Sequence, residues 1–197
     1  GTCLNEGCIP TKSLLASSLK QLKEAMQESF LLAQEKKETV VTSLRKGLEY
    51  SLQLKNVEVI HAKASFVDDH TVTANGISYF AKHIVIASGS SVVIPPILGL
   101  TNRNSYTSKS ILELREIPQH LVVIGGGIIG LEMASIFLDY GAKVTVVEAE
   151  SRILSFMDKE LTKRLQMDLT KRGVTFYVNT RVVQIEEDGR NRIVSMS

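Results

Sequence analysis

The sequence predicts an α/β chain, and three observations support this fold class. From Pro118 onward, apolar segments alternate with amphipathic ones, which is typical of β-α-β units and a parallel sheet. Residues 57–80 instead show short apolar segments of period two around an Asn75-Gly76 turn, which predicts an antiparallel β-meander. Ahead of them, leucines at helical spacing predict two amphipathic helices. With 44% hydrophobic residues, the 197-residue chain can fill one large core or two small ones.

The first predicted helix opens at Pro10 and Thr11, and the second ends near Asn56. Both carry apolar stripes that we interpret as packing surfaces. The stripes are Leu15, Leu19, Leu22, Met26 and Phe30 on the first helix, and Val41, Leu44, Leu48 and Leu52 on the second. The predicted strands that follow are Val57–Val59, Ala64–Val67, Thr71–Thr73, Ile77–Phe80 and His83–Ala87.

The second half of the chain begins with a predicted linker over residues 95–117, which contains Pro95, Pro96 and Gly99. After the linker, helices and strands alternate, and the chain closes with a hairpin around Asp188-Gly189. The predicted elements are strand Leu121–Ile124, helix Ile128–Tyr140, strand Val144–Val147, helix Asp158–Arg172, strand Val174–Val178, and paired strands Val182–Ile185 and Ile193–Met196.

Composition excludes several classes of protein. A formal net charge of +2, from 23 basic and 21 acidic residues, gives no electrostatic case for nucleic acid. No apolar run approaches the ~20 residues of a membrane-spanning helix, and no secretory signal is visible. Only two cysteines occur, so a reducing compartment is expected, cytoplasmic or the mitochondrial matrix in a eukaryote. The four histidines are unclustered, so no metal site is predicted.

A glycine fingerprint for a dinucleotide lies between the first two strands of the β-α-β unit. Gly125, Gly127 and Gly130 form G-x-G-x-x-G, with Gly126 as a further glycine and with Ile128 and Ile129 between the last two. Such glycines allow a tight turn, the approach of a pyrophosphate to backbone N–H groups, and close helix packing. Glu148 ends the next strand, where a carboxylate can accept hydrogen bonds from a ribose 2′-OH. This pattern predicts NAD rather than NADP, although Arg152 lies close by in sequence. The alternative is a strand–turn–helix without a ligand.

The cysteines form a close pair, Cys3 and Cys8, in the first eight residues. In a regular helix their Cα atoms would lie ~8 Å apart, beyond the ~7 Å limit of a disulfide. A bridge therefore requires a distorted first turn, which Gly7 permits. The helix dipole and Lys12, one turn further on, would favour a thiolate at Cys8. Spacing alone leaves open two unrelated thiols, whereas half of a metal site fails for lack of further ligands, because the histidines are distant in sequence and unclustered.

Three ordered motifs together resemble the pyridine nucleotide–disulfide oxidoreductase family over essentially the whole chain. The string Gly1–Lys12 resembles its active-site signature, and the spelling C-L-N-x-G-C-I-P-T-K is most similar to the dihydrolipoamide dehydrogenases within it. Ile84–Ser90 resembles a flavin-site segment, with Ser88 in place of the usual threonine. Val123–Glu132 and Glu148 match the NAD site. The resemblance implies part of an FAD-binding Rossmann-like domain with a β-meander at residues 1–94, a linker at 95–117, and most of a second, NAD-binding Rossmann-like domain at 118–197.

The resemblance also implies a role for each site residue. Cys3 would be the interchange thiol, and Cys8 would lie beside the flavin ring. Lys12 would contact the flavin and pair with Glu132, which sequence alone would place on a solvent-facing helix surface. The flavin would also lie close to Ser88 and Gly89.

The implied reaction is oxidation of dihydrolipoamide by NAD⁺ through the Cys3–Cys8 disulfide and FAD. The implied partner is a lipoyl group on a 2-oxoacid dehydrogenase or glycine cleavage complex, and a homodimer is expected for the full-length protein. The family's first FAD unit and its C-terminal interface domain are not in this sequence, so the fragment itself is expected to be inactive.

Three alternatives remain open from sequence. A glutathione, trypanothione or mercuric reductase of the same family would use NAD(P)H. A non-catalytic NAD-binding module would retain the fingerprint but would not explain Cys3, Cys8 and Lys12. A thioredoxin-reductase-like enzyme would carry C-x-x-C within the NAD domain, where this chain has no cysteine.

Overall fold

The computed structural model describes residues 1–19, 25–100, 105–189 and 191–197. The chain divides into two compact units, one made of Gly1–Thr42 with Val92–Ser197 and the other of Ser43–Ser91. Helices and a parallel sheet confirm the predicted α/β class. The domains predicted over residues 1–94 and 118–197 are defined by the cofactor each would bind, and their boundaries stay a prediction.

Three helices open the chain: α1 (Thr2–Glu6), α2 (Cys8–Ser18) and α3 (Met26–Leu54). Met26 and Phe30 belong to α3, so their assignment to the first helix was wrong; Leu22 lies outside the described residues. The reason is the buried face of α3, which includes the polar residues Gln34 and Lys37 and therefore does not read as an apolar stripe. The buried residues of α3 are Phe30, Ala33, Gln34, Lys37 and Val41.

The second unit contains the predicted meander. β1 (Ser65–Asp68), β2 (Thr71–Ala74) and β3 (Ile77–Phe80) pair antiparallel in that order. Asn75 and Gly76 make the tight turn with φ of 51° and 77°, as an Asn-Gly hairpin requires. The strands predicted at Val57–Val59 and His83–Ala87 are absent, since no described strand pairs with either segment. Alternating apolar residues alone do not form a strand without a hydrogen-bonding neighbour.

The first unit is built on a parallel sheet of β4 (His120–Ile124), β5 (Lys143–Val147) and β6 (Thr175–Tyr177), with β5 in the centre. Helix α4 (Ile128–Asp139) connects the first two strands and α5 (Lys159–Arg172) leads to the third. Asp158 caps α5 by accepting from the N–H groups of Glu160 and Leu161, as an N-cap residue should. The chain ends with the predicted hairpin, β7 (Val182–Asp188) and β8 (Asn191–Met196).

The core of the first unit joins the sheet to the N-terminal helices. Phe30 of α3 lies with its ring 5.8 Å from that of Phe137 and 5.0 Å from that of Tyr140, all three buried. Leu14 of α2 belongs to the same cluster. This packing attaches the helix that begins at Cys8 to the helix that follows the glycine fingerprint.

The segment before β4, which includes part of the predicted linker, is bonded along α3. It contains a short 3₁₀ helix, Ser110–Glu113, and a set of bonds between α3 side chains and its backbone, here named the polar ladder. Burial lowers the pKa of Lys37, one of the ladder residues. Thr101–Asn104 of the predicted linker lie outside the described residues. The bonds of the ladder are Gln27 to Arg115 O (2.7 Å) and Ile117 N (3.0 Å), Gln34 to Leu114 O (2.7 Å), and Lys37 to Leu112 O (2.6 Å).

Candidate functional site

The glycine fingerprint forms a tight turn between β4 and α4. Gly125 follows the strand with φ of 106°, a conformation that side-chain-bearing residues rarely adopt. Its N–H donates to Val147 O of β5 at 2.8 Å. No side chain caps the N-terminus of α4, and no acidic residue lies in its first turn. The N–H groups and positive dipole end of α4 are therefore open to an anionic group.

The other three glycines of the fingerprint differ in what surrounds them. A Cβ at Gly130 would lie 2.3 Å from Gly125 O, and one at Gly126 would lie 2.8 Å from Ile153 Cγ2. Both positions are therefore restricted to glycine by the fold itself. A Cβ at Gly127 would meet nothing within 4 Å. The chain alone does not require glycine there, so the space beside Gly127 fits a closely approaching ligand.

Exposed apolar residues border this open space. Ile128 and Ile129 expose 53% and 55% of their surfaces in the first turn of α4. The structure thus brings Gly125, Gly127, Ile128 and Ile129 to one edge of the sheet, beyond the carboxyl end of β4, where open α/β folds bind ligands.

Glu148 lies at the end of β5 and faces the same turn. Its Oε2 accepts from Gly126 N at 2.6 Å, and its Oε1 accepts from Glu150 N at 2.7 Å. These bonds fix the carboxylate, and each oxygen retains a lone pair for another donor. Arg152 is directed elsewhere, because its guanidinium donates to the carbonyls of Ser155 and Met157 and to Thr162 Oγ1.

The cysteine segment contains the distorted first turn that a Cys3–Cys8 disulfide would require. Helix α1 ends at Glu6 and α2 begins at Cys8, with Gly7 between them at φ −137° and ψ −114°. A Cβ at Gly7 would lie 3.0 Å from Thr2 O and 3.4 Å from Cys3 Cα. The break folds α1 back against the start of α2.

Both cysteines are free thiols and exposed. A side-chain hydrogen bond with Cys8 is the main cause that raises the pKa of Cys3 above 9.0, while Lys12 lowers it by a smaller amount. The break at Gly7 places the two exposed thiols on consecutive helices, close enough for Cys8 to act on the pKa of Cys3. The Cys3–Cys8 disulfide itself stays a prediction.

Lys12 lies one turn after Cys8 on α2, and its Nζ donates to Glu132 Oε1 of α4. This is the pairing that the family resemblance implied, and it corrects the solvent-facing position that sequence alone gave to Glu132. The bond to Glu132 is the main cause that raises the pKa of Lys12. Lys12 retains 57% side-chain exposure and Glu132 23%. Helices α2 and α4 are thus linked by an ion pair near their N-termini and, further along, by the hydrophobic cluster that contains Leu14 and Phe137.

Ser88 and Gly89 belong to the second unit and are exposed in a segment without regular structure. Gly89 has φ of 78°. Their predicted place near a flavin stays a prediction.

The structure shows an ion pair that the sequence analysis missed. Glu6 of α1 lies with its Oε1 2.5 Å from Nζ of Lys109, which precedes the 3₁₀ helix. The only signal in the sequence was the presence of Glu6 between the cysteines, and nothing indicated its distant partner.

Two further searches covered the described residues. No three His, Cys, Asp or Glu side chains among them are grouped so that they could hold a metal ion. No helix in the described ranges has the length and apolarity needed to cross a membrane. Among the histidines, His120 lies with its Nε2 2.9 Å from Thr145 Oγ1.

Comparison with known proteins gives matches across nearly the whole chain. Residues 1–196 match the family described as pyridine nucleotide-disulphide oxidoreductase. RclA of Escherichia coli strain K12, a probable pyridine nucleotide-disulfide oxidoreductase, is 35% identical over 192 residues, which cover 94% of this chain and 42% of RclA. Dihydrolipoamide dehydrogenase of Chaetomium thermophilum is 39% identical over 207 residues, covering 96% of this chain and 41% of that protein.

Other relatives and a solved structure extend the range of activities. Mercuric reductase of Staphylococcus aureus is 31% identical, with 97% of this chain and 37% of that protein covered. The solved structure of the HOCl-induced flavoprotein disulfide reductase RclA from Escherichia coli superposes with a TM-score of 0.85 at 33% identity, covering 98% of this chain and 46% of that one. This chain therefore spans less than half the length of each of these proteins.

Proposed function

The chain belongs to the pyridine nucleotide-disulphide oxidoreductase family, as its motifs predicted, and we propose that the full-length protein oxidises dihydrolipoamide with NAD⁺. In this proposal Cys3 and Cys8 alternate between dithiol and disulfide, and NAD binds at the turn from Gly125 to Gly130. The Lys12–Glu132 ion pair carries the proposal, because it joins the helix that begins at the thiol to the helix that begins at the nucleotide turn.

The residues present fit the two cofactors of the family. Cys8 and Lys12 lie one turn apart on an exposed part of α2, and a thiol beside a cation suits the redox-active edge of a flavin. When bound, FAD supplies a two-electron carrier between the cysteine pair and the nicotinamide. Lys12, held by Glu132, would orient that ring.

The nucleotide site favours NAD over NADP. Glu148 is fixed at the end of β5 by two backbone N–H groups, and its remaining lone pairs would accept from a ribose 2′-OH. A 2′-phosphate would be repelled by the same carboxylate. Arg152, the nearby cation in the sequence, donates to Ser155, Met157 and Thr162, so it is already engaged away from such a phosphate.

The thiol chemistry follows from the exposed pair. One thiolate of the substrate dithiol attacks Sγ of Cys3 in the oxidised pair, the Cys3–Cys8 bond breaks, and Cys8 leaves as a thiolate. The second substrate thiol then attacks the substrate sulfur bonded to Cys3, which releases Cys3 and the substrate disulfide. Two electrons remain in the dithiol, the state that the structure contains, and transfer to NAD⁺ yields NADH and a proton.

The positions of the two thiols support these different roles for Cys3 and Cys8. Cys8 begins α2, where the helix dipole stabilises a thiolate as leaving group. The pKa of Cys3 is raised by its hydrogen bond with Cys8, so Cys3 suits the role of the thiol that is attacked and then protonated on release.

The lipoyl substrate is supported by the spelling of the cysteine motif and by the 39% identity to the Chaetomium dihydrolipoamide dehydrogenase. Under this proposal the partner is a lipoyl-bearing 2-oxoacid dehydrogenase or glycine cleavage complex in a reducing compartment, and the full-length protein is a homodimer. A second candidate is a related NAD(P)H-dependent reductase of disulfides or Hg(II), which the matches to RclA and mercuric reductase favour.

The test uses the full-length flavoprotein with dihydrolipoamide and NAD⁺, and follows the formation of NADH by its absorbance. We expect turnover in the wild type and its loss in Cys8→Ser, by about a thousandfold or more, since the covalent route disappears. Ala16→Ser, an exposed small-residue change on the same helix, is the matched control and should retain activity.

Absence of NADH formation in a flavin-loaded wild type would reject the lipoamide substrate. Oxidation of NADPH or NADH with glutathione disulfide or Hg(II), lost again in Cys8→Ser, would then identify the second candidate. Equal activity of wild type and Cys8→Ser would reject the cysteine mechanism itself.

A further inference from the structure

The helix that carries Cys3 is weakly held by packing. α1 has five residues and buries none of them. Its internal support includes Asn5, whose Nδ2 donates to Gly1 O at 2.9 Å. A helix this short does not persist on local hydrogen bonds alone, so contacts from elsewhere decide where Cys3 lies relative to Cys8.

Lys109 supplies such a contact from a distant part of the chain. Its Nζ lies 2.5 Å from Glu6 Oε1, and this bond is the main cause that raises the pKa of Lys109. Lys109 directly precedes the 3₁₀ helix, whose Ile111 and Leu112 are buried. Lys37 holds Leu112 O from the α3 side. Lys109 therefore lies beside a buried 3₁₀ helix and pairs with a helix that buries no residue.

The same contact has an electrostatic consequence at the thiols. Glu6 lies three residues after Cys3 and two before Cys8, and an unpaired carboxylate there would disfavour thiolates. Lys109 offsets that charge. The other charged groups that act on this region are Lys12, which is paired with Glu132, and Glu113, which acts on Lys109.

We propose that Lys109 is a positioning residue for the interchange thiol: through Glu6 it holds α1 so that Cys3 faces Cys8, and it cancels the carboxylate charge beside the pair. The inference rests on the proposed function and adds a residue that lies outside all three motifs. Lys109 touches neither thiol, so its effect is transmitted through Glu6.

The test measures Cys3 reactivity in the reduced full-length flavoprotein, by pH-dependent alkylation with iodoacetamide and mass-spectrometric assignment of the modified peptide. Lys109→Gln leaves the Glu6 charge unopposed and should raise the apparent thiol pKa by about 0.3–0.5 pH unit. Glu6→Gln removes the charge and should lower it by a similar amount. The double variant should return close to the wild-type pKa. Reduction of the enzyme by dihydrolipoamide in single-turnover mixing should slow in both single variants and in the double variant.

Opposite pKa shifts in the two single variants would support the charge effect, and slower reduction in both single variants and in the double variant would support the positioning role, because all three lack the ion pair. Shifts of the same sign or no shift would overturn the charge effect, and unchanged reduction rates would overturn the positioning role. If the wild-type pair failed to form a reducible disulfide, the proposed function would fall first and the inference with it. A wild type that cycles normally while the variants do not differ overturns the inference alone.

Discussion

Two helix N-termini carry the chemistry that we propose for the full-length protein, and the segments that precede them are supported in different ways. α4 begins at the nucleotide turn and continues into the core, where Ala134 and Ile136 are fully buried. α2 begins at Cys8, and the short α1 that precedes it buries no residue. The turn before α4 is fixed by packing, and α2 is packed as well, since it buries Pro10, Thr11 and Leu14. The Cys3 segment, α1, is instead held by an ion pair and a backbone break.

The difference in support between the two segments matches the different tasks that we propose for them. A pyrophosphate-binding turn functions when its N–H groups do not move, and a close-packed core provides that rigidity. A cysteine pair alternates between a dithiol and a disulfide, whose sulfur atoms lie at different separations. Polar contacts at an exposed helix can adjust to that change at low energetic cost, because exposed ion pairs contribute little to stability.

The largest effect on stability should come from a substitution in the core that supports α4. Phe137→Ala removes a ring that packs against Phe30 and should lower the free energy of unfolding by about 4 kcal/mol. Phe156→Ala makes the same chemical change at a residue that is 70% exposed and should leave stability nearly unaltered. Urea denaturation of the full-length protein measures both. Equal losses in the two variants would contradict the packing described for α4.

A smaller effect on stability should distinguish Gly130 from Gly127 of the fingerprint. At Gly130 a Cβ would lie 2.3 Å from Gly125 O, so Gly130→Ala should destabilise the protein by about 1–3 kcal/mol through overpacking. At Gly127 the space is open, so Gly127→Ala should change stability by less than about 0.5 kcal/mol. Its NADH affinity, measured by fluorescence titration, should nevertheless fall about tenfold, because the ligand needs that space. Unchanged NADH binding in Gly127→Ala would argue against a nucleotide at this turn.

The smallest effect on stability concerns His120, at the start of β4 and away from the glycine turn. Burial, and next the charge of Lys143, lower the pKa of His120 below 6.5. The unfolded chain therefore takes up this proton at a higher pH than the folded one, so stability declines as pH falls from about 6.5 through the folded value. His120→Gln should reduce that decline by less than about 1 kcal/mol, since the ring is partly exposed to solvent. Urea midpoints at neutral and mildly acidic pH measure it, with His83→Gln as control. An identical acid dependence in wild type and His120→Gln would exclude this contribution.

The sequence predicted the packed region better than the polar one. The glycine turn, the strands beside it and the helix from Ile128 were confirmed because apolar periodicity and glycine spacing are local signals. The extent of α3 was missed because Gln34 and Lys37 occupy its buried face. The strands expected at Val57–Val59 and His83–Ala87 failed because strand formation depends on a pairing neighbour.

The candidate site also contains residues that the sequence predicted and a contact that it did not. The cysteine spacing and the family motif led to Cys3, Cys8, Lys12 and Glu132, whose contacts the structure shows, while their catalytic roles remain predictions. The Glu6–Lys109 ion pair could not be anticipated, because two charged residues about a hundred positions apart carry no local pattern. Long-range polar contacts depend on the folded path of the chain.

The polar ladder along α3 has a consequence for how this protein can diverge. Gln27, Gln34 and Lys37 bond to main-chain groups of the segment before β4. Every amino acid supplies a main-chain carbonyl, and every one except proline supplies an N–H. Most substitutions in that segment therefore leave these bonds in place, whereas loss of an amide or ammonium on the helix removes one. Selection on the ladder should act on the three helix positions, while burial, not the ladder, constrains Ile111 and Leu112 in the segment.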